Sequence, residues 1–224
     1  MSKASDTSSS RSAAPGRFRG VLFDYGGVFT PSPFSAVAAL AAEIGTESDL
    51  LVEVVFGSYE DDTDHPWHRL ERGEITVQDA RTGVQELGAA RGFEADLFKF
   101  FAAMGGSGGI RQDLVACVRG LREMGLRTGL LTNNVAEFRE YWRKSLPEGI
   151  FDDVVDSSEV GLRKPDPRIF ALACERLGIE PHQAIFLDDH PGNIRGARAA
   201  GLEAVLVEED PSGALRELER LLAR

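Results

Sequence analysis

The chain has 224 residues, 42% of them hydrophobic and 27% charged, which suffices for one compact domain with an insertion. Its 36 acidic residues against 25 basic ones give a net charge of −11, which argues against nucleic acid and anionic membranes as partners. The sequence has no apolar stretch of about 20 residues, no signal-peptide core and no metal-binding or disulfide spacing of its two cysteines, so we expect a cytoplasmic protein.

The N-terminal segment differs in composition from the rest of the chain. Residues 1–17 are rich in Ser and Ala and have no periodic apolar face, so we predict a disordered tail there. Residues 21–23 then form a continuous apolar run that ends at Asp24 and is followed by Gly26 and Gly27. This pattern predicts a buried β-strand that runs into a tight loop.

A long helical segment is predicted between the first strand and the second. Roughly 100 residues separate the two, whereas a crossover between parallel strands needs about a dozen. Prolines stand at its start in residues 31–33, and a glycine-rich run ends it at 105–109. We therefore predict a helical cap over residues 31–105, joined by two hinges to a core made of residues 18–30 and 106–224.

Three further apolar runs follow, at residues 128–131, 184–187 and 204–207. Segments with helical periodicity and one apolar face separate them. Strand, helix and strand in this order form right-handed parallel units. The sequence therefore predicts an α/β fold with a Rossmann-like parallel sheet flanked by helices.

Polar residues stand at the ends of three predicted strands. Asp24 ends the first strand, Thr132 the second, and Asp188 and Asp189 the third, while Lys164 lies in a loop between the last two. Ligands of open parallel sheets bind at the carboxyl ends of the strands. We therefore expect these side chains to lie close together.

Four motifs resemble those of the haloacid dehalogenase-like (HAD) superfamily. In chain order they are FDYGGV, LLTNN, the lysine of RKPDP, and FLDDHPGN. The resemblance covers nearly all of the chain after the tail, and it is to the helical-cap subfamily, with members similar to the N-terminal phosphatase of epoxide hydrolase and to glucose-1-phosphatases. It implies Mg²⁺-dependent hydrolysis of a small phosphorylated metabolite.

The resemblance implies a role for each motif residue. Asp24 would be the nucleophile and would form an aspartyl-phosphate that water hydrolyses. Thr132 would bind a phosphoryl oxygen, together with backbone N–H groups near Asn133 at the start of the following helix. Lys164 would offset the negative charge of the phosphate and of the carboxylates.

A Mg²⁺ site is implied in the same way. The carboxylates of Asp24 and Asp189 and the backbone carbonyl of Gly26 form the oxygen set that this ion prefers. Asp188 would lie behind these ligands and next to Lys164. The ion would relieve the repulsion between the carboxylates. Asn193 would orient Asp189 or a metal-bound water, or else begin a helix.

The sequence departs from the family pattern at Gly26, where most phosphatases of the superfamily have an acid–base aspartate. Losing such a group costs about 10² to 10⁴ in rate. The substrate could have a good leaving group, such as an acyl or anomeric phosphate, or the cap could supply a substitute through His65 or His68. Alternatively, the pocket binds a phosphorylated ligand without turnover. For the two histidines, a structural role in the cap is the simpler interpretation.

Two other enzyme classes share part of the pattern. Residues 105–109 match the G-x-S-x-G string of serine hydrolases, but residues 97–104 before them have helical spacing where a nucleophile elbow needs a strand. A 2-haloacid dehalogenase would also use an aspartate nucleophile. The dehalogenases of this superfamily, however, lack the pair Asp188-Asp189.

Overall fold

The computed structural model describes residues 16–32, 37–104 and 109–223. The predicted tail lies outside the described residues up to residue 15, and parts of both predicted hinges lie outside them as well.

Five β-strands form one sheet within the described residues. They are β1 (Gly20–Phe23), β2 (Arg127–Thr132), β3 (Asp153–Asp156), β4 (Ala184–Asp188) and β5 (Glu203–Leu206). Their order is β3-β2-β1-β4-β5, and every neighbouring pair is parallel. The strand order reverses between β1 and β4, and a crevice for ligands opens at the carboxyl ends of the strands at such a point. The predicted Rossmann-like fold is confirmed.

Eleven α-helices accompany the sheet in the described residues. Between β1 and β2 lie α1 (Val37–Ile44), α2 (Ser48–Phe56), α3 (Pro66–Glu71), α4 (Val77–Ala90), α5 (Leu97–Met104) and α6 (Gln112–Glu123). After β2 follow α7 (Arg139–Ser145), α8 (Ser157–Val160), α9 (Pro167–Leu177), α10 (Pro191–Ala199) and α11 (Ser212–Leu222). We call α1–α5 the inserted helices, because α6 alone would complete the crossover.

The two faces of the sheet are covered by different helices. Val21 and Phe23 of β1 pack into an apolar cluster with α6 and α11, whereas Leu22 packs into a second cluster with α9 and α10. Successive side chains of a strand point to opposite faces, so each strand contributes to both clusters. β1 is therefore buried on both sides, as its continuous apolar run predicts.

The sequence predicts four strands, and β3 is a fifth. The strand is four residues long and reads Asp-Val-Val-Asp, so only Val154 and Val155 are apolar. A run of two apolar residues carries too little signal in the sequence. Pairing with β2 along Gly129–Thr132 makes the segment a strand.

The inserted helices have an apolar cluster of their own, to which Val135, which follows β2, also contributes. Helix α4 begins with a capping box, in which the Thr76 side chain accepts from the Asp79 N–H and the Asp79 carboxylate accepts from the Thr76 N–H. The Val77 N–H in its first turn donates to Oε1 of Glu137 at 3.0 Å, from outside the inserted helices. The capping box thus starts α4, and Glu137, which is distant in the chain, binds its first turn.

The contact between α3 and α8 is close. Gly73, just after α3, has a φ of +68°, and a Cβ at this position would lie 2.5 Å from the carbonyl oxygen of Ser158. Only a residue without a side chain fits both the backbone conformation and the approach.

Within the described ranges, we find no helix with the length and apolar character needed to cross a bilayer.

Replacing Gly73 tests this close contact. Gly73→Ala is expected to lower the free energy of unfolding by about 2 to 4 kcal/mol, since backbone strain and overpacking add. Gly45→Ala is the matched control, because Gly45 has a φ of +80° with nothing within 4 Å of a built Cβ. It should lose only about 1 to 2 kcal/mol from backbone strain. Urea denaturation measures both, and equal losses would contradict the close contact.

Candidate active site

The ends of β1 and β4 bring two carboxylates side by side. Asp24 directly follows β1, and its N–H donates to the carbonyl of Leu187 at 2.9 Å, which extends the ladder by one residue. Asp188 is the last residue of β4, and Asp189 comes next. One oxygen from each of Asp24, Asp188 and Asp189 lies within 4.8 Å of the others. The structure therefore brings together the three acids that the sequence analysis singles out.

Lys164 lies between two of these carboxylates. Its side chain has no solvent exposure, and Nζ is 2.6 Å from Oδ2 of Asp188 and 2.9 Å from Oδ1 of Asp24. Its backbone is held by Asn133, whose Oδ1 accepts from the Lys164 N–H at 2.8 Å and whose Nδ2 donates to the Lys164 carbonyl at 3.0 Å. The loop after α8 is thus fixed at the lysine itself.

Asp188 accepts hydrogen bonds on both oxygens. Oδ1 accepts from the His190 N–H at 2.7 Å, and Nδ2 of Asn193 lies 3.1 Å from each oxygen. Asn193 therefore contacts Asp188, and the prediction that it orients Asp189 is wrong. The cap of α10 is His190, whose side chain accepts from the Gly192 N–H, so Asn193 is not the residue that begins the helix.

Asp189 is fitted closely against the loop after β1. Its Oδ2 accepts from Oγ of Ser32 at 2.8 Å. Gly27 has a φ of +69°, and a Cβ there would lie 1.9 Å from the same Oδ2. A glycine at position 27 is therefore needed for the Asp189 carboxylate to lie where it does.

The pKa values reflect burial and mutual repulsion. Burial is the largest cause that raises the pKa of Asp24 to about 8; Lys164 opposes it, while Asp188 and Asp189 add to it. Burial, and then Asp188, raise the pKa of Asp189 to about 6. Burial alone would lower the pKa of Lys164, but Asp188 and Asp24 outweigh it and hold that pKa above its usual value.

The group fits a divalent cation. Three carboxylates against one ammonium leave an excess of two negative charges when all four are ionised. Oδ1 of Asp24 is buried and lies 2.9 Å from the Lys164 ammonium. Hard oxygen ligands of this kind suit Mg²⁺.

Thr132 and Asn133 lie at the end of β2. Thr132 is buried, and its hydroxyl makes one long contact, 3.4 Å, to the carbonyl of Asn133. The expected helix does not begin at Asn133: a 3₁₀ turn covers Ala136–Phe138, and α7 comes after it. Asn133 and Asn134 instead use their side chains to fix neighbouring loops, which competes with helix formation.

His65 and His68 both have structural contacts. His65 caps α3, since its Nδ1 accepts from the Trp67 N–H at 3.1 Å, while Nε2 lies 3.2 Å from the carbonyl of Val54. His68 has no solvent exposure, and its Nδ1 accepts from the Thr63 N–H at 3.0 Å. Burial, followed by Arg163, lowers the pKa of His68 to about 3. Both histidines thus make contacts within the segment of the inserted helices.

Two residues from the segment between β1 and β2, Tyr59 and Glu71, contact residues next to the site, and the sequence does not predict either contact. The ring of Tyr59 stacks on His190 at 4.1 Å, and Glu71 accepts from Nε of Arg163 at 2.7 Å. In the sequence, the only signal for Arg163 is its place next to Lys164.

The chain resembles several known proteins. It is 32% identical over 211 residues to mouse acyl-CoA dehydrogenase family member 10, and the matched region covers 92% of this chain and 19% of that protein. It is 38% identical over 99 residues to the glyceraldehyde 3-phosphate phosphatase of Methanopyrus kandleri, covering 42% of each. The chain thus spans less than half the length of these curated relatives.

Solved structures share the fold. A HAD family enzyme from Bacteroides thetaiotaomicron, in complex with magnesium and inorganic phosphate, superposes with a TM-score of 0.59 at 21% identity, over 86% of this chain and 96% of that one.

The fold and the acidic cluster define a Rossmann-like α/β protein whose site lies at the strand ends. The haloacid dehalogenase-like hydrolase family matches residues 18–201, and the chain belongs to that family.

Removing the charge of Asp24 should stabilise the protein in EDTA. A carboxyl whose pKa rises from 3.8 to about 8 on folding favours the folded state while protonated, and this contribution is lost as the pH rises through that interval. At pH 8.5, Asp24→Asn is expected to unfold with a free energy roughly 1 to 3 kcal/mol higher than wild type, and at pH 4 with nearly the same value.

The exposed carboxylate of Asp61 provides the control for that measurement. Asp61→Asn should show no comparable gain at pH 8.5. Added Mg²⁺ should raise the melting temperature of the wild type more than that of Asp24→Asn, and equal shifts would contradict a metal site at Asp24.

Proposed function

We propose that this chain is a Mg²⁺-dependent phosphatase that hydrolyses a small phosphorylated metabolite through an aspartyl-phosphate on Asp24. The observation that carries the proposal is the buried Lys164 ammonium, which touches both Asp24 and Asp188 while Asp189 lies beside them. A phosphoryl group needs an oxygen nucleophile and compensating positive charge, and this cluster offers the first and part of the second.

The ion would be held by the carboxylates of Asp24 and Asp189 and by the carbonyl of Gly26. Asp188 would support these ligands, because both of its oxygens already accept hydrogen bonds or contact Lys164. When bound, Mg²⁺ would neutralise the acidic cluster and polarise a phosphoryl oxygen.

Asp24, Lys164 and Thr132 would then have separate roles. A carboxylate oxygen of Asp24 attacks phosphorus as the P–O bond to the leaving group breaks, and water then hydrolyses the aspartyl-phosphate to inorganic phosphate and the free Asp24 carboxylate. Lys164 stabilises the negative charge of the phosphoryl group through a charge-assisted hydrogen bond. Thr132, with backbone N–H groups near Asn133, orients another phosphoryl oxygen.

Relatives support a phosphate ester as substrate. The Methanopyrus kandleri relative is named a phosphatase of glyceraldehyde 3-phosphate, and the Bacteroides thetaiotaomicron enzyme was solved with magnesium and inorganic phosphate. We extend to this chain only the substrate class, a small phosphorylated metabolite.

We further propose that residues 31–105 act as a cap over a core of residues 18–30 and 106–224. The separate apolar cluster of the inserted helices supports this division. So does the loop between α2 and α3, where Tyr59 stacks on His190 beside the acidic pair. A cap in this position would shield the phosphoryl group from bulk solvent.

Phosphate release from p-nitrophenyl phosphate tests the proposal. Purified protein with Mg²⁺ is expected to turn over this substrate, EDTA should abolish the activity, and Asp24→Asn should reduce it below detection. Lys164→Met should lower kcat by about 10² to 10³, since it removes an electrostatic contact to the transition state.

The two alternatives predict different results. A protein that only binds a phosphorylated ligand would show no turnover of acyl, anomeric or aryl phosphates, yet would bind inorganic phosphate. A 2-haloacid dehalogenase would release chloride from 2-chloropropionate without Mg²⁺. Either pattern, together with no phosphate release, contradicts the phosphatase.

Gly26 leads to a second expectation, about the leaving group. Without an acid two residues after Asp24, the ester oxygen must leave unprotonated. Acyl and anomeric phosphates should therefore be hydrolysed about 10² to 10⁴ faster than simple alkyl phosphates, measured as kcat/KM.

Restoring the acid gives the matched variant for this comparison. Gly26→Asp is expected to raise kcat/KM for alkyl phosphates while changing that for acyl phosphates little. If the wild-type rate does not depend on the pKa of the leaving group, another residue supplies the proton and the interpretation of Gly26 is wrong.

A further inference from the structure

A buried ion pair joins the inserted helices to the loop that carries Lys164. Nε of Arg163 donates to Oε2 of Glu71 at 2.7 Å, and the two side chains are 0% and 4% exposed. Glu71 is the last residue of α3, and the two residues are 92 positions apart in the chain. Neither residue has a part in the chemistry proposed above.

Stability alone does not account for this pair. Both Nη atoms of Arg163 are buried without a hydrogen-bond partner among the described residues, and Asp62 approaches Nη1 only to 3.7 Å. Burial raises the pKa of Glu71, and the Arg163 guanidinium offsets this only in part. A buried pair with unsatisfied N–H groups is often no more stabilising than two apolar side chains of similar volume.

The place of Arg163 in the chain suggests a different role. Arg163 and Lys164 are consecutive, and their side chains have separate partners: the first binds Glu71 on the inserted helices, and the second contacts Asp24 and Asp188. Asn133 holds the Lys164 backbone from the core side. The lysine is therefore anchored from the core, and the residue before it from the inserted helices.

Helix α3 is itself firmly placed against the core. Gly73, just after the helix, lies so near Ser158 that a Cβ would come within 2.5 Å of its carbonyl oxygen. Ser158 belongs to α8, which leads into the loop of Arg163. A displacement of α3 would therefore move Glu71, and the guanidinium bonded to it, relative to the catalytic carboxylates.

We propose that Arg163, held by Glu71, is a positioning residue that places the Lys164 ammonium, so that the site has its full affinity for a phosphoryl group only when α3 is seated on the core. The inference rests on the proposed function, in which Lys164 meets the phosphate. It adds a coupling between the cap and the catalytic lysine that does not involve substrate contact by the cap.

The decisive experiment replaces the pair by apolar residues. In the double variant Glu71→Met with Arg163→Met, no buried charge is left unpaired, so the melting temperature should stay near that of wild type. Affinity for inorganic phosphate in the presence of Mg²⁺, measured by titration calorimetry, should fall about tenfold, because the charge-assisted hydrogen bond from Lys164 is loosened. The kcat for p-nitrophenyl phosphate should fall with it.

A double variant that is as stable as wild type and binds phosphate equally well overturns the proposal. If the double variant does not fold, Glu71→Gln with Arg163→Met decides, because it removes the ion pair, keeps the shape of the Glu71 side chain and leaves no buried charge unpaired. Weaker phosphate binding by this second double variant supports the positioning role, and unchanged binding overturns it.

A second ion pair of the inserted helices provides the control. Asp96 accepts from Nε and Nη2 of Arg81 at 2.9 and 2.6 Å, with a side chain only 8% exposed. Asp96→Asn should leave phosphate affinity unchanged; an equal loss would mean general loosening and would overturn the specific coupling. Wild-type protein that binds no phosphate with Mg²⁺ would contradict the proposed function itself, which is a separate outcome.

Discussion

The buried ammonium of Lys164 is the interaction on which the site depends. A lysine with no solvent exposure is tolerated only when opposite charges surround it, and here Asp24 and Asp188 lie within 2.9 Å of Nζ. Those two carboxylates are adjacent because they stand at the ends of neighbouring parallel strands, β1 and β4. The sheet thus sets the positions of Asp24 and Asp188, and these two carboxylates hold the Lys164 ammonium. Asn133 holds the backbone of the loop that carries the lysine.

The charge of the site and the charge of the whole chain have different consequences. The net charge of −11 opposes any polyanion that approaches the surface. Inside the crevice, the same sign of charge is concentrated in three carboxylates, and burial together with the neighbouring Asp188 raises the pKa values of Asp24 and Asp189. A phosphate dianion could enter such a crevice only with further positive charge, so the proposed Mg²⁺ follows from the electrostatics of the cluster as well as from family resemblance.

The sequence predicts the features of the site that follow from apolar runs, and it does not predict those that depend on the packing of one element on another. The strand ends follow from apolar runs, so the apolar pattern alone suffices to place Asp24, Asp188 and Asp189 together. The hydrogen bonds of Asn193 do not follow from such a pattern, because its position in the first turn of α10 decides which oxygens it reaches. The pairing of Glu71 with Arg163 is equally hidden, since it depends on where α3 lies relative to the loop after α8.

The surroundings of Asp24 show why the enzyme interpretation is preferred over a binding protein. Gly27 is required by space, because any side chain there would collide with the Asp189 carboxylate. At position 26, glycine stands where a carboxyl group would serve as a proton donor. The groups proposed to act on phosphorus are nevertheless held in place: Asn133 holds the Lys164 backbone, and Asp188 accepts hydrogen bonds on both oxygens. A pocket that only held a phosphate would not need a buried carboxylate among its anionic groups, since Asp24 repels the ligand unless it bonds to phosphorus or to a cation.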